Sequence, residues 1–155
     1  YTPNRAENVD YLKGYTDAMS LSGLVLSGGN AAWLGKPLPK GVLGGILSAN
    51  DIARLDLSNT DMVVLSACQT GQGKATAEGL YGLQRAFKKA GVGTIVMSLW
   101  NVSDKTTSEF MTTFYERLAD KKNAWSKRKA FEEAKEIIRQ KHPDPFHWAA
   151  FVMLD

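Results

Sequence analysis

Apolar residues along this chain fall into two patterns. Short unbroken runs stand at Leu24-Val-Leu-Ser27, Met62-Val-Val-Leu-Ser-Ala67, Thr94-Ile-Val-Met-Ser-Leu-Trp100 and Trp148-Ala-Ala-Phe-Val-Met-Leu154. All four predict strands, and Met62–Ala67, apolar at successive rather than alternate positions, predicts one buried on both faces, as parallel strands beneath helices are. Between the runs, apolar residues recur at helical spacing. Over Glu78–Ala90 the stripe is Leu80, Leu83, Phe87 and Ala90, with Gly91 placed to end the helix. Over Thr106–Ala119 it is Phe110, Met111, Phe114, Tyr115 and Leu118, and over Trp125–Gln140 it is Ala130, Phe131, Ala134, Ile137 and Ile138. Ser48, three residues ahead of Asp51, predicts a cap with an acid in the first turn of a short helix reaching Leu55. Pro37 and Pro39, with Gly35, Gly41, Gly44 and Gly45, predict a long loop or hairpin across 31–45. Pro143 and Pro145 break the chain before the last strand. Strands alternating with helices predict an α/β fold over residues 21–155, preceded by a polar loop or insertion at 1–20.

Composition narrows the function classes. Apolar residues make up 44% and charged residues 23% of the 155, as in ordinary globular domains. The net charge of +3 is spread out. Its densest run, Lys121, Lys122, Lys127, Arg128 and Lys129, encloses a single aromatic, Trp125, rather than forming a basic stripe with interleaved aromatics, and reads as a solvated helix face, so no nucleic-acid partner is expected. No apolar run is long enough for a membrane span, and the N-terminus has no signal-peptide core. The single cysteine rules out an intrachain disulfide and any zinc spacing, which leans the chain to the cytoplasm. Tyr1 stands where no initiator Met or early element does, which predicts a processed or trimmed chain.

That cysteine, Cys68, follows the run Met62–Ala67 and precedes Gln69-Thr-Gly-Gln-Gly73 and a helix. Chemistry in open α/β sheets gathers at the carboxyl ends of strands, where backbone N–H groups and helix N-termini favour a thiolate. A buried thiol that packs as a small apolar group explains the same position, and the two readings stand level. A phosphate-binding loop does not: Cys68 occupies the place of its first glycine and Ala75 that of its hydroxyl residue. At the end of the next strand lies Ser98-Leu-Trp-Asn-Val-Ser-Asp104. Ser103 or Asp104 caps the following helix, or Asp104 with Asn101 reaches toward Cys68 and receives a cationic group. His142 sits in a loop and reads as solvated; His147, beside Trp148, reads as an aromatic-layer filler.

Five segments, LVLSGGNAAW, GILSANDIARLDLSNTDMVVLSACQTGQG, EGLYGLQRAF, AGVGTIVMSLWNVSD and HWAAFVML, together resemble the CHAT domain, the caspase-like peptidase domain found beside tetratricopeptide repeats. The resemblance runs in order over roughly residues 20–155. It implies a caspase-like three-layer α/β sandwich with a mostly parallel central sheet, of which this chain is the C-terminal, cysteine-bearing part. Leu65-Ser-Ala-Cys68 matches the family's apolar run ending in Ala-Cys. That match implies that Cys68 is the nucleophile and that its backbone N–H helps hold the oxyanion. The family's base is the histidine of a His-Gly pair, whose glycine N–H also serves the oxyanion; these 155 residues contain no such pair, so an upstream segment or chain is implied as its source. Trp100-Asn-Val-Ser-Asp104 is similar to the Trp-Asp-Val-Thr-Asp of separases, whose acids receive an arginine before the scissile bond. Asp104 matches, Asn101 replaces the first acid, and the implied S1 candidates are Asp104, Asn101 and Trp100.

The resemblance therefore implies a cysteine endopeptidase subunit with a preference for basic P1 residues, inactive as this chain alone and needing no metal or organic cofactor. Its implied partners are the upstream histidine-bearing segment, a peptide or protein substrate, and tetratricopeptide repeats or a regulatory partner. The alternative is a catalytically inactive caspase-like scaffold that binds proteins. A third reading, His147 serving Cys68 in cis, requires the last strand to run antiparallel.

Overall fold

Residues 19, 22–38, 40, 44–65, 77–122 and 126–155 are described by the computed structural model; Cys68 and the flanking stretch 66–76 lie outside them, as does nearly all of the segment expected as a loop at 1–20. The chain divides into two units, residues 1–60 with 75–92 and residues 61–74 with 93–155.

The first unit opens with strand β1 (Gly23–Val25), helix α1 (Gly29–Trp33) and strand β2 (Ile46–Ser48). The two strands pair antiparallel, Val25 opposite Ile46, so the glycine- and proline-rich stretch is a hairpin that carries a short helix the sequence does not announce. Close approach explains two of its glycines: a Cβ on Gly29 would meet the Gly45 carbonyl at 2.7 Å. Gly45 itself turns with φ of 61°, a conformation that side chains resist. Helix α2 (Ala49–Ile52) starts on a capping box, in which Ser48 Oγ accepts from the Asp51 N–H and the Asp51 carboxylate accepts from the Ser48 N–H. The Ser48 hydroxyl, and after it the Ser48 N–H, both donating to the Asp51 carboxylate, hold that carboxyl below its ordinary range. Helix α3 (Ala77–Lys89) packs against α2; of the expected stripe Phe87 and Ala90 are buried and Leu83 is half-buried, Ala86 is buried as well, and the side chain of Leu80 lies outside the described ones. Gly91 ends the helix at φ of 97°.

The second unit is built on a mixed three-stranded sheet, β3 (Met62–Leu65), β4 (Thr94–Ser98) and β5 (Phe151–Leu154), in that spatial order. This is the α/β layering the sequence predicts. The β3–β4 pair is parallel and β5 is antiparallel to β4. All five residues of β4 are buried, which is why its run shows no alternation. Helices α4 (Asp104–Ala119) and α5 (Lys127–Lys141) pack on each other, and a core gathers Val96, Phe110, Phe114, Phe131, Ala134, Ile138, Phe151 and Met153. Phe110 is its pivot: its ring stacks on Phe151 at 4.0 Å and meets Phe131 edge-on at 5.3 Å. Tyr115, expected in the stripe, is 47% exposed, because the neighbouring positions Phe110 and Phe114 take the buried arc.

The last strand is shorter than its apolar run. Pro145–Trp148 forms a separate short helix, α6, and only Phe151–Leu154 joins the sheet. Lys135 ties α5 to β5 by donating from Nζ to the Phe151 carbonyl at 3.0 Å, with its ammonium over the rings of Phe131 and Trp148. Burial pushes that ammonium's pKa down. At the opposite end of the sheet, Asp155 pairs with Arg128 and accepts from the Thr94 hydroxyl, and Lys127 pairs with Asp61. Two members of the basic run are therefore engaged in ion pairs at the sheet's edge.

Candidate active site

Parallel strands β3 and β4 end, and antiparallel β5 begins, on one side of the second unit: Leu65 pairs with Met97 and Ser98 with Phe151. In open α/β sheets chemistry gathers at such strand ends. Cys68, three residues beyond Leu65, and its backbone N–H lie outside the described residues. The three S1 candidates are all described.

Trp100 follows directly on the sheet. The Leu99 N–H donates to the Ala150 carbonyl at 2.9 Å, which continues the β4–β5 ladder to the residue before Trp100. Its half-buried indole donates from Nε1–H to the Phe146 carbonyl at 2.8 Å, and the two rings lie 6.3 Å apart. Phe146 is 52% exposed, so the pair forms an aromatic ledge open to solvent. Asn101 is exposed, and the next residue, Val102, plugs the core and fixes the loop.

The competition for the helix cap has a definite outcome. Ser103 is the N-cap of α4: its Oγ accepts from the Thr106 N–H at 3.2 Å and pairs with the Thr106 hydroxyl at 2.9 Å. Asp104 is the first residue of the helix, exposed, and its carboxylate has no hydrogen bond or ion pair to any described residue. Relieved of the cap, it faces solvent as an acceptor, favoured where it stands by the positive end of the helix dipole.

The histidines gather nearby. His142 is half-buried rather than solvated, because it closes α5 with Nε2 3.4 Å from Oε2 of Glu109, a carboxylate that Lys141 also approaches at 3.9 Å. His147, in α6, is tilted against His142 at 5.2 Å and edge-on to Phe146 at 5.9 Å. Its Nδ1 is buried without a partner among the described residues. The antiparallel course of β5 brings α6, and His147 with it, to the same end of the sheet as Trp100 and Asp104, as the in-cis reading requires. The ring's contacts are those of a filler. Among the described residues no three His, Cys, Asp or Glu side chains gather as a metal site.

Sequence reasoning missed Asp144 and Phe146. A signal was present: Asp144-Pro145 is a capping residue followed by proline at the first helical position, the start signature of a helix. The surrounding prolines read instead as a simple break.

The family model of the CHAT domain matches residues 12–155. Tetratricopeptide repeat protein 28 of mouse and the human protein of the same name are each 32% identical to the chain over 111 residues. Those stretches cover 70% of this chain and 4% of each relative, so the chain corresponds to a small part of their length. No solved structure matches significantly. No helix among the described residues is long and apolar enough to cross a membrane.

Proposed function

Because this chain belongs to the CHAT domain family, a caspase-like group related to peptidases, we propose that it is the cysteine-bearing part of a cysteine endopeptidase that cuts after basic residues. The observation that carries this reading is Asp104: an exposed carboxylate, free of the capping duty and unpaired among the described residues, at the sheet end toward which β3 leads the chain to Cys68.

In this reading the Cys68 thiolate attacks the scissile carbonyl carbon. A C–S bond forms and the carbonyl electron pair moves to oxygen, where the Cys68 N–H and a glycine N–H of the upstream segment hold the oxyanion. The upstream histidine protonates the leaving amine as the C–N bond breaks. Water, deprotonated by the same histidine, then hydrolyses the thioester and returns the thiol. Asp104 receives the P1 cation, most favourably a guanidinium through paired hydrogen bonds. Trp100 supplies a flat wall for the apolar stem of that side chain, and Asn101 offers a neutral oxygen where separases carry a second acid. We place the protein in the cytoplasm, where a lone thiol stays reduced. Tetratricopeptide repeats on the same polypeptide fit the names of its relatives.

The test is intact-mass labelling with an arginyl chloromethylketone, with and without the upstream polypeptide. One adduct at Cys68 that needs the upstream polypeptide is the expected result. Labelling of this chain alone would move the base to His147. No labelling of folded protein in either form would leave the protein-binding scaffold as the better reading.

Asp104→Asn supplies a second check. It keeps size and helix position but removes the charge, so kcat/KM for Arg and Lys substrates should fall about 10- to 100-fold, the scale set by a lost charge-assisted pair. Substrates with apolar P1 residues should change by less than about twofold. Equal losses on both classes would assign Asp104 a structural role.

A further inference from the structure

We infer that Asp144 is a positioning residue for peptide binding, acting through helix α6 on Trp100; the inference rests on the peptidase reading above. Asp144 caps the helix: its Oδ1 accepts from the Phe146 N–H at 2.9 Å, and its main-chain carbonyl accepts from the His147 N–H at 3.0 Å. Pro145 presets the first helical position. The Phe146 carbonyl, held in place by this turn, is the acceptor of the Trp100 indole at 2.8 Å.

What makes the cap decisive is the shortness of the helix. Pro145–Trp148 is a single turn, and a turn of that length does not hold itself together. Burial does not hold its middle either, since Phe146 is 52% exposed. Its far end is anchored separately: Trp148 donates from Nε1–H to the Pro143 carbonyl at 3.3 Å and carries the Lys135 ammonium on its ring. Between that anchor and Trp100 the orientation of the Phe146 carbonyl depends on the hydrogen bonds that Asp144 accepts, together with the one from the Ala149 N–H to the Pro145 carbonyl at 2.9 Å. Without the carboxylate the turn loosens, the indole loses its fixed acceptor, and the wall that Trp100 offers in the peptidase reading is no longer preorganised for a bound peptide.

The experiment compares Asp144→Ala, Asp144→Asn and Phe146→Ala in the full-length protein, with two readouts. The first is hydrogen exchange of the Trp100 indole N–H by NMR. The second is cleavage of arginyl peptides. Asp144→Ala is expected to speed indole exchange and to raise KM about fivefold, the scale of a lost cap, with kcat within about twofold. Asp144→Asn keeps an oxygen acceptor and should restore both. Phe146→Ala keeps the main-chain carbonyl and should leave the indole protected. Asp144→Ala with unchanged KM and a protected indole would overturn the inference, as would a fall in kcat at constant KM or a failure of Asp144→Asn to restore binding. Absence of cleavage by the unsubstituted protein would sink the peptidase reading and this inference with it. Cleavage that is indifferent to Asp144→Ala would sink the inference alone.

Discussion

Replacing Cys68 with alanine in the full-length protein is expected to lower peptide hydrolysis by about 10⁴-fold or more while the protein stays folded. Loss of the attacking atom removes the covalent route altogether, and what remains comes only from substrate binding and oxyanion stabilisation. Serine at the same position should rescue little, because a hydroxyl ionises far less readily than a thiol and an upstream histidine poised for a thiolate would have to remove a much less acidic proton. The measurement pairs single-turnover assays on arginyl peptides with thermal unfolding of each variant. A buried, structural cysteine makes the opposite forecast. Alanine would then leave a small cavity, cost about 1–2 kcal/mol of stability, and reduce activity no more than the folded fraction falls. A scaffold without catalysis predicts no turnover to lose and unchanged partner binding.

The second large effect concerns stability. Phe110→Ala is expected to cost about 3–5 kcal/mol, the range for removing a fully buried aromatic ring. Phe110 is wholly buried, stacked on Phe151 and edge-on to Phe131, so the contacts of α4 with two elements, α5 and β5, are lost together. Against a total of about 5–15 kcal/mol for a domain, that loss brings the second unit close to unfolding. Phe110→Leu, which refills most of the space, should cost less than half as much. Tyr115→Ala, on the same helix but half-exposed, should change stability by less than about 1 kcal/mol. Urea denaturation resolves all three. Similar costs at Phe110 and Tyr115 would mean that the packing of α4 is wrongly described. The site shares in this result, because α4 carries Asp104 on its first residue and Phe110 is what seats that helix on the sheet. Phe110→Leu should therefore retain the preference for basic P1 residues wherever it retains the fold.

Much of this molecule is legible in one dimension. The unbroken runs at Met62 and Thr94 mark the parallel pair, since a strand covered on both faces has no polar side to alternate with. The stripes Phe110/Phe114 and Ala130/Phe131/Ala134/Ile138 mark the helices, and Ser48 with Asp51 marks a cap that the structure forms as a full capping box. These signals are local: each depends on a repeat or on a hydrogen bond spanning three or four residues. The family motifs that make Cys68, Trp100 and Asp104 candidates are likewise continuous stretches of sequence.

Other features depend on what lies across space. Trp148 and Phe151 belong to one apolar run, yet the first ends a helical turn and the second starts a strand, because Asp144 and Pro145 begin a helix before the sheet takes over. Tyr115 has the right spacing for the core, but the buried arc of α4 is too narrow to admit it beside Phe110 and Phe114. Ser103 and Asp104 compete on equal terms in sequence; only the direction in which Thr106 N–H points assigns the cap to the serine and leaves the carboxylate free. Trp100 and Phe146, 46 residues apart, meet because β5 returns antiparallel beside β4. The sequence by itself determined the elements and the chemical groups this protein can use. The tertiary structure decided which of those groups share one end of a sheet, because strand direction and packing are set by contacts between residues that no local pattern joins.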